Sequence, residues 1–112
     1  MTMLEELNAT ITACGLPVET GIFSGIPPDA YVVITPLTDT FATFADNQPQ
    51  VDVQEVRLSL FVKGNYIKHR NAIVRALLGA DFTITDRRFI EREDITGYFH
   101  VSIDAQKHYD WS

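Results

Sequence analysis

The chain has 112 residues, 46 % of them hydrophobic and 21 % charged. That length fits one domain with one core, and that composition excludes a wholly disordered polymer. With 9 basic against 15 acidic side chains the formal charge is −6, which argues against a dedicated nucleic-acid reader, because phosphate binding needs a net basic face.

No apolar run reaches the roughly 18 residues of a membrane span. The start, Met1-Thr2-Met3-Leu4-Glu5-Glu6, lacks the basic lead and apolar core of a secretory leader, so synthesis in the cytosol is expected. Met3, Leu4, Leu7, Ile11 and Cys14 recur at helical spacing, and Gly15 before Leu16-Pro17 ends this first helix. The helix is expected to cover one face of a sheet. Cys14, the lone cysteine, has no internal disulfide partner and reads as a small buried hydrophobe.

Val18 to Phe23 reads as a first strand, broken by the turn-rich Ser24-Gly25-Ile26-Pro27-Pro28-Asp29. Ala30 to Thr35, with Tyr31-Val32-Val33-Ile34, is the most β-prone run, and Pro36 either limits it or marks a sheet edge. Leu37 to Gln50 sets Asp39, Asp46, Asn47 and Pro49 around Phe41 and Phe44. It reads as a partly extended excursion from the core, whose two aromatics are expected to pack inward rather than await a partner.

Val56, Leu58, Leu60 and Val62 alternate with Arg57, Ser59, Phe61 and Lys63, the period of a strand with one buried face. Val51 and Val53 sit at the opposite parity, so a bulge is expected around Gln54 and Glu55. After Gly64 the period becomes helical, with Ile67, Ile73, Val74, Leu77 and Leu78 on one side and Lys68, Arg70, Asn71 and Arg75 on the other. Asn65 is placed as N-cap and Gly79 as the stop. Burying those five apolar side chains would contribute about 1.5–3 kcal/mol each.

Phe82 to Glu91 and Gly97 to Tyr109 read as a hairpin with the charged tip Arg92-Glu93-Asp94-Ile95-Thr96. In its second strand Phe99, Val101, Ile103 and Ala105 take one face and Tyr98, His100, Ser102 and Asp104 the other. The whole is a single α+β domain, residues 1–112, in the order α-β-β-β-α-β-β, with a largely antiparallel or mixed sheet covered by two helices.

Catalytic signatures do not emerge. The chain has no phosphate-cradling glycine loop and no HExxH run, and the serine of Gly21-Ile22-Phe23-Ser24-Gly25 lacks the middle position of a nucleophile elbow. His100, Asp104 and His108 share strand parity, with Asp110 beyond, and imidazole and carboxylate suit a divalent ion, yet their spacing matches no established ligand set. A polar strand face is the plainer explanation, and a small metal-dependent enzyme using His100 and Asp104 the distant alternative. Lys63, Lys68, His69, Arg70 and Arg75 form a solvated helix face, while Arg87, Arg88 and Arg92 alternate with Asp86, Glu91, Glu93 and Asp94. The expectation is a non-enzymatic protein without cofactor or metal.

Several landmarks occur together: the helix ending in Gly15-Leu16-Pro17-Val18, the run Tyr31-Val32-Val33-Ile34-Thr35 and the excursion from Asp39 to Ala45-Asp46-Asn47. They continue with Phe61-Val62-Lys63-Gly64-Asn65-Tyr66 entering a helix and the closing Gly97-Tyr98-Phe99-His100. In this the chain resembles, over almost its whole length and through loose patterns, the tail completion or tail terminator proteins of long-tailed bacteriophages and prophages. The resemblance implies a structural virion protein at the tail or neck, assembled in the host cytoplasm. Copies would form a ring, commonly a homo-hexamer, on the head-proximal end of the tail tube, stopping its growth and offering a surface for head-tail joining. The implied partners are further copies of the chain, the tail tube protein and a head-tail connector or head completion protein. DNA would pass non-specifically through the lumen, and no membrane is involved.

By matching position, the implied interface residues are Asp46 and Asn47, Lys63, Asn65 and Tyr66, and Arg92, Glu93 and Asp94; separately, Trp111 in the short closing Asp110-Trp111-Ser112 is a candidate anchor for a partner's pocket. Gly64 and Tyr66 have structural readings too, as a chain reversal and a staple on the helix. Another neck or head-tail connector component, or a minor capsid protein, is the near alternative. A bacterial adaptor is a remoter one.

Overall fold

The computed structural model describes residues 2–21, 24–45 and 48–110. Helix α1 (Met3–Ala13) is followed by strands β1 (Val18–Thr20), β2 (Ala30–Ala45) and β3 (Gln48–Val62), helix α2 (Tyr66–Gly79), and strands β4 (Thr83–Arg92) and β5 (Phe99–Asp110). The five strands form one sheet in the order β1-β2-β3-β5-β4. Only β1 and β2 run parallel, so the sheet is mixed and the class is α+β, in the expected order of elements.

Both helices lie on one face of this sheet. Leu7 and Ile11 from α1 and Ile73 and Leu77 from α2 join Val32 and Ile34, Val56, Leu58, Leu60 and Val62, and Val101, Ile103 and Ala105 in a single buried cluster. α1 begins with an N-cap: the Thr2 hydroxyl accepts from the Glu5 N–H at 3.2 Å and donates to the Glu5 carboxylate at 3.1 Å. Cys14 is half-buried, with Sγ 3.8 Å from the Ala72 carbonyl, and burial pushes its thiol above the ordinary value. A raised thiol is a poor nucleophile, in keeping with a packing role.

α2 starts as expected, with Asn65 Oδ1 accepting from the Lys68 N–H at 3.3 Å. Its end differs. Gly79 is still helical, and the reversal comes two residues later at Asp81, with φ of 67°. The Phe82 N–H donates to the Leu77 carbonyl and the Asp81 N–H to that of Leu78, a Schellman closure in which Phe82 packs back on the core. The helix also buries less than expected: Ile73 and Leu77 are enclosed, but Ile67 and Leu78 lie exposed at 47 % and 55 %. Val74 packs against the core as expected, and Tyr66 joins it there.

The larger correction concerns residues 36–50. Pro36 does not end its strand, and the expected excursion is the far half of a long antiparallel hairpin, β2–β3, paired from Ala30↔Val62 to Ala45↔Gln48. Proline is tolerated because β1 accompanies β2 only as far as Ile34, leaving Pro36 on a free edge. The irregularity expected in β3 at Gln54–Glu55 falls across from it: β3 keeps register with β5 from Val51 to Val62, and β2 carries the bulge between Pro36 and Thr38. Val51 and Val53 therefore face away from the helices. Phe41 is exposed at 46 % rather than in the core. Phe44's side chain lies outside the described residues, as do Ile22 and Phe23 of the expected first strand, whose described part is Val18–Thr20.

The hairpin makes the molecule long. Its extents are 55 × 25 × 23 Å and its radius of gyration is 15.2 Å, against about 13 Å for a compact chain of this length. Among the described residues no helix is long and apolar enough to cross a membrane.

Candidate interaction surface

The sheet face opposite the helices carries a row of rings. Because Tyr31 pairs with Phe61 and Phe61 with His100 across β2, β3 and β5, the three side chains stack, at centroid separations of 4.9 Å and 4.3 Å. Tyr98 meets Tyr31 edge-on at 5.5 Å and Phe61 at 6.4 Å. Such pairs contribute beyond their buried area. The Tyr98 hydroxyl donates to the Pro28 carbonyl at 2.6 Å, pinning the 24–29 loop to the β4–β5 tip. A shallow hollow of about 370 Å³ opens beside this row, between Pro27, Tyr31, Thr35 and Phe61. Tyr98 was visible in the sequence as an aromatic at outward parity; its anchoring role was not.

The expected interface residues fall into separate groups. Lys63 Nζ stands 4.8 Å over the Tyr98 ring. Asn65 is occupied as the α2 cap, and Tyr66 packs on Phe99 and Phe89 at 5.2 Å and 5.5 Å, so both serve the fold. Gly64 has no positive φ. At the hairpin tip Arg92 lies 3.6 Å from Asp94 and 5.8 Å from the Phe99 ring, while the Glu93 backbone closes the turn through bonds to Tyr98 and Gly97. Ile95 at this tip is 101 % exposed and Ile26 in the pinned loop 96 %. Lys63, Arg92, Glu93 and Asp94 thus share the end of the sheet away from the β2–β3 turn. Asp46 and Asn47, like Trp111, lie outside the described residues.

His100 and Asp104 do share a face, but not as a ligand pair. Asp104, 7 % exposed, receives both Arg57 Nε at 2.9 Å and Arg57 Nη2 at 3.0 Å. This bidentate contact holds the guanidinium charged. His100 is committed to the ring stack, and among the described residues no three His, Cys, Asp or Glu side chains converge to hold an ion. Arg57→Ala strands a buried carboxylate, and a loss of about 1–3 kcal/mol is expected, read as a lower urea midpoint at unchanged m-value.

His100 Nε2 is buried with no hydrogen-bond partner among the described residues. Burial pushes the imidazole below its ordinary value, Arg57 adding to the effect while Glu93 and Glu91 oppose it. The folded protein therefore holds fewer protons than the unfolded chain just below the ordinary histidine pKa. Stability is expected to fall as pH drops through about 6.5 and to go on falling until the folded form protonates. His100→Phe should flatten that decline in thermal melts taken from pH 7 to pH 5; an unchanged slope would place its origin elsewhere.

The two flanks of the sheet differ in charge. From Ala30 to Val56 there is no Lys, Arg or His; Asp39 lies on the free edge of β2, while Asp52 and Glu55 are on the central strand β3 and Glu55 accepts from the Thr85 hydroxyl of β4 at 2.8 Å. On the opposite flank α2 and β4 carry Lys68, Arg70, Arg75, Arg87, Arg88 and Arg92 against Asp86 and Glu91, with Arg88 paired to Asp86. There a groove of about 550 Å³ runs between the helix and the edge strand, lined by Val74, Leu78, Phe82, Ile84 and Arg87. A smaller hollow, bounded by Tyr66, Arg70, Arg87 and Phe89, shares Arg87 with it.

No family model and no curated protein matches the chain. Among solved structures it is similar to a chain described as "Virion of native gene transfer agent (GTA) particle". The match has 14 % sequence identity and a TM-score of 0.49, covering 93 % of this chain and 84 % of that one. A likeness so remote leaves family and role open.

Proposed function

We propose that this protein is a non-enzymatic structural subunit of a phage-type virion. It assembles as a ring, of hexameric order, at the head-proximal end of a tail tube, ends polymerisation of the tube protein and presents the surface for head-tail joining. The observation that carries this is the open edge of an elongated sheet: beyond Ile34 strand β2 has no outer neighbour among the described strands, and Thr35 to Phe41, with Leu37 and Phe41 among them, are all exposed along it. An open, proline-bearing strand edge with exposed apolar side chains suits a subunit that must meet neighbours on opposite flanks. The sequence landmarks set out above support the same role. A body end with exposed Ile26 and Ile95 beside Lys63 suits a second partner, the tube or connector. An acidic chain also avoids retaining DNA that passes through the ring.

Electron microscopy of particles from a phage or prophage lacking the gene tests this. Overlong tubes without heads are the expected result. Tails of normal length left unjoined would move the protein to another neck position, and intact infectious particles would sink both.

A further inference from the structure

We infer that the exposed β2 edge of one copy, the arm Thr35–Phe41, docks in the α2–β4 groove of the next, a contact that rests on the assembly role proposed above and specifies its surface. Three observations converge on a second copy as the occupant. The complement to Arg87 in the groove is present in the same chain, since the free edge of β2 carries Asp39 and residues 30–56 hold no base. Arm and groove lie on opposite edges of one sheet, β2 beyond Ile34 and β4 each lacking an outer neighbour among the described strands, so the contact is heterologous and propagates from copy to copy. The chemistry also matches in order. After the bulge Asp39 and Phe41 pair with Gln54 and Asp52, on the helix side of the sheet. A neighbouring sheet edge laid alongside presents them to Arg87 and to the apolar stretch of Val74, Leu78 and Ile84. Neither Asp39 nor Arg87 takes part in an ion pair within the described residues.

Strand pairing supplies only part of this contact. β4 is interrupted by bulges between Ile84 and Asp86 and between Phe89 and Glu91, a device that blunts indiscriminate edge pairing. Only Asp86 to Phe89 remains regular for a partner strand, and side chains in the groove carry the recognition.

Charge reversal tests the geometry. Full-length wild type, Asp39→Arg, Arg87→Asp, the double variant and an equimolar mixture of the two single variants would be compared by sedimentation velocity over a wide concentration range. Thermal melts would verify folding of each, both positions being exposed. Wild type should self-associate, each single variant should weaken association at least about tenfold, and both the double variant and the mixture should recover it. A wild type that stays monomeric throughout, single variants that associate as the wild type does, or weakened variants that neither pairing nor mixing restores would each overturn the proposed contact. If tails still overgrow when the gene is removed, the ring role stands with a different interface; if they do not, that role fails whatever the sedimentation result.

Discussion

Replacing Leu58 by alanine is expected to lower the free energy of unfolding by about 2–5 kcal/mol, a large share of the roughly 5–15 kcal/mol available to a domain of this kind. Leu58 lies on β3, two strands in from one edge of the sheet and next to β5. Its register places it between Ile34 on β2 and Ile103 on β5, all three fully buried. Above them sit Leu7, Ile11, Ile73 and Leu77. A void here has neighbours on every side and no loop able to collapse into it, which places the cost above simple transfer of the lost methyl groups. Leu78→Ala removes the same atoms from a half-open site and should shift the urea midpoint little. Equal losses for the two would mean that the helix-backed face is not the molecule's main core.

The second large effect is expected at Tyr98. Tyr98→Ala removes a buried ring that touches Tyr31 and Phe61, lies under Lys63 and holds Pro28, and should cost about 3–5 kcal/mol. Tyr98→Phe keeps the rings and gives up only the hydroxyl contact, for about 1 kcal/mol. Amide exchange separates the two consequences. The Lys63 N–H donates to the Asp29 carbonyl at 2.8 Å, so its protection should fall in the alanine variant as the 24–29 loop comes free, and persist in the phenylalanine variant. Protection retained in both would show that this loop is held by something other than Tyr98.

What the sequence discloses here follows the range of the interactions. Period-two alternation in Val56 to Val62 and Phe99 to Ala105, and the Asn65 cap, are local patterns that tertiary structure had no reason to override. Leu37 to Gln50 misled because proline, aspartate and asparagine read as loop formers, and their tolerance in a strand depends on that strand having no outer neighbour, which no local window contains. The phase slip was legible, but a mismatch between two paired strands does not say which of them holds the extra residue. On α2 the apolar stripe was wider than the surface it meets, so Ile67 and Leu78 read as core and are not. Of the expected site residues, Asn65 and Tyr66 are spent on capping and packing. The arm's missing bases and the opposing arginines are plain in the sequence, yet only the topology reveals that they occupy opposite flanks.

The bulge at Leu37 has a mechanical side. A single unpaired residue bends its strand and adds local twist, so it fixes the direction in which the distal hairpin leaves the helix-backed body. In an assembly joined hairpin to flank, that direction is the angle between successive copies, and the angle decides how many copies bring a circle to closure. Were such an assembly to close, its circumference, and with it the bore left for a threaded polymer, would be set less by the buried core than by one extra residue in one strand beside one proline.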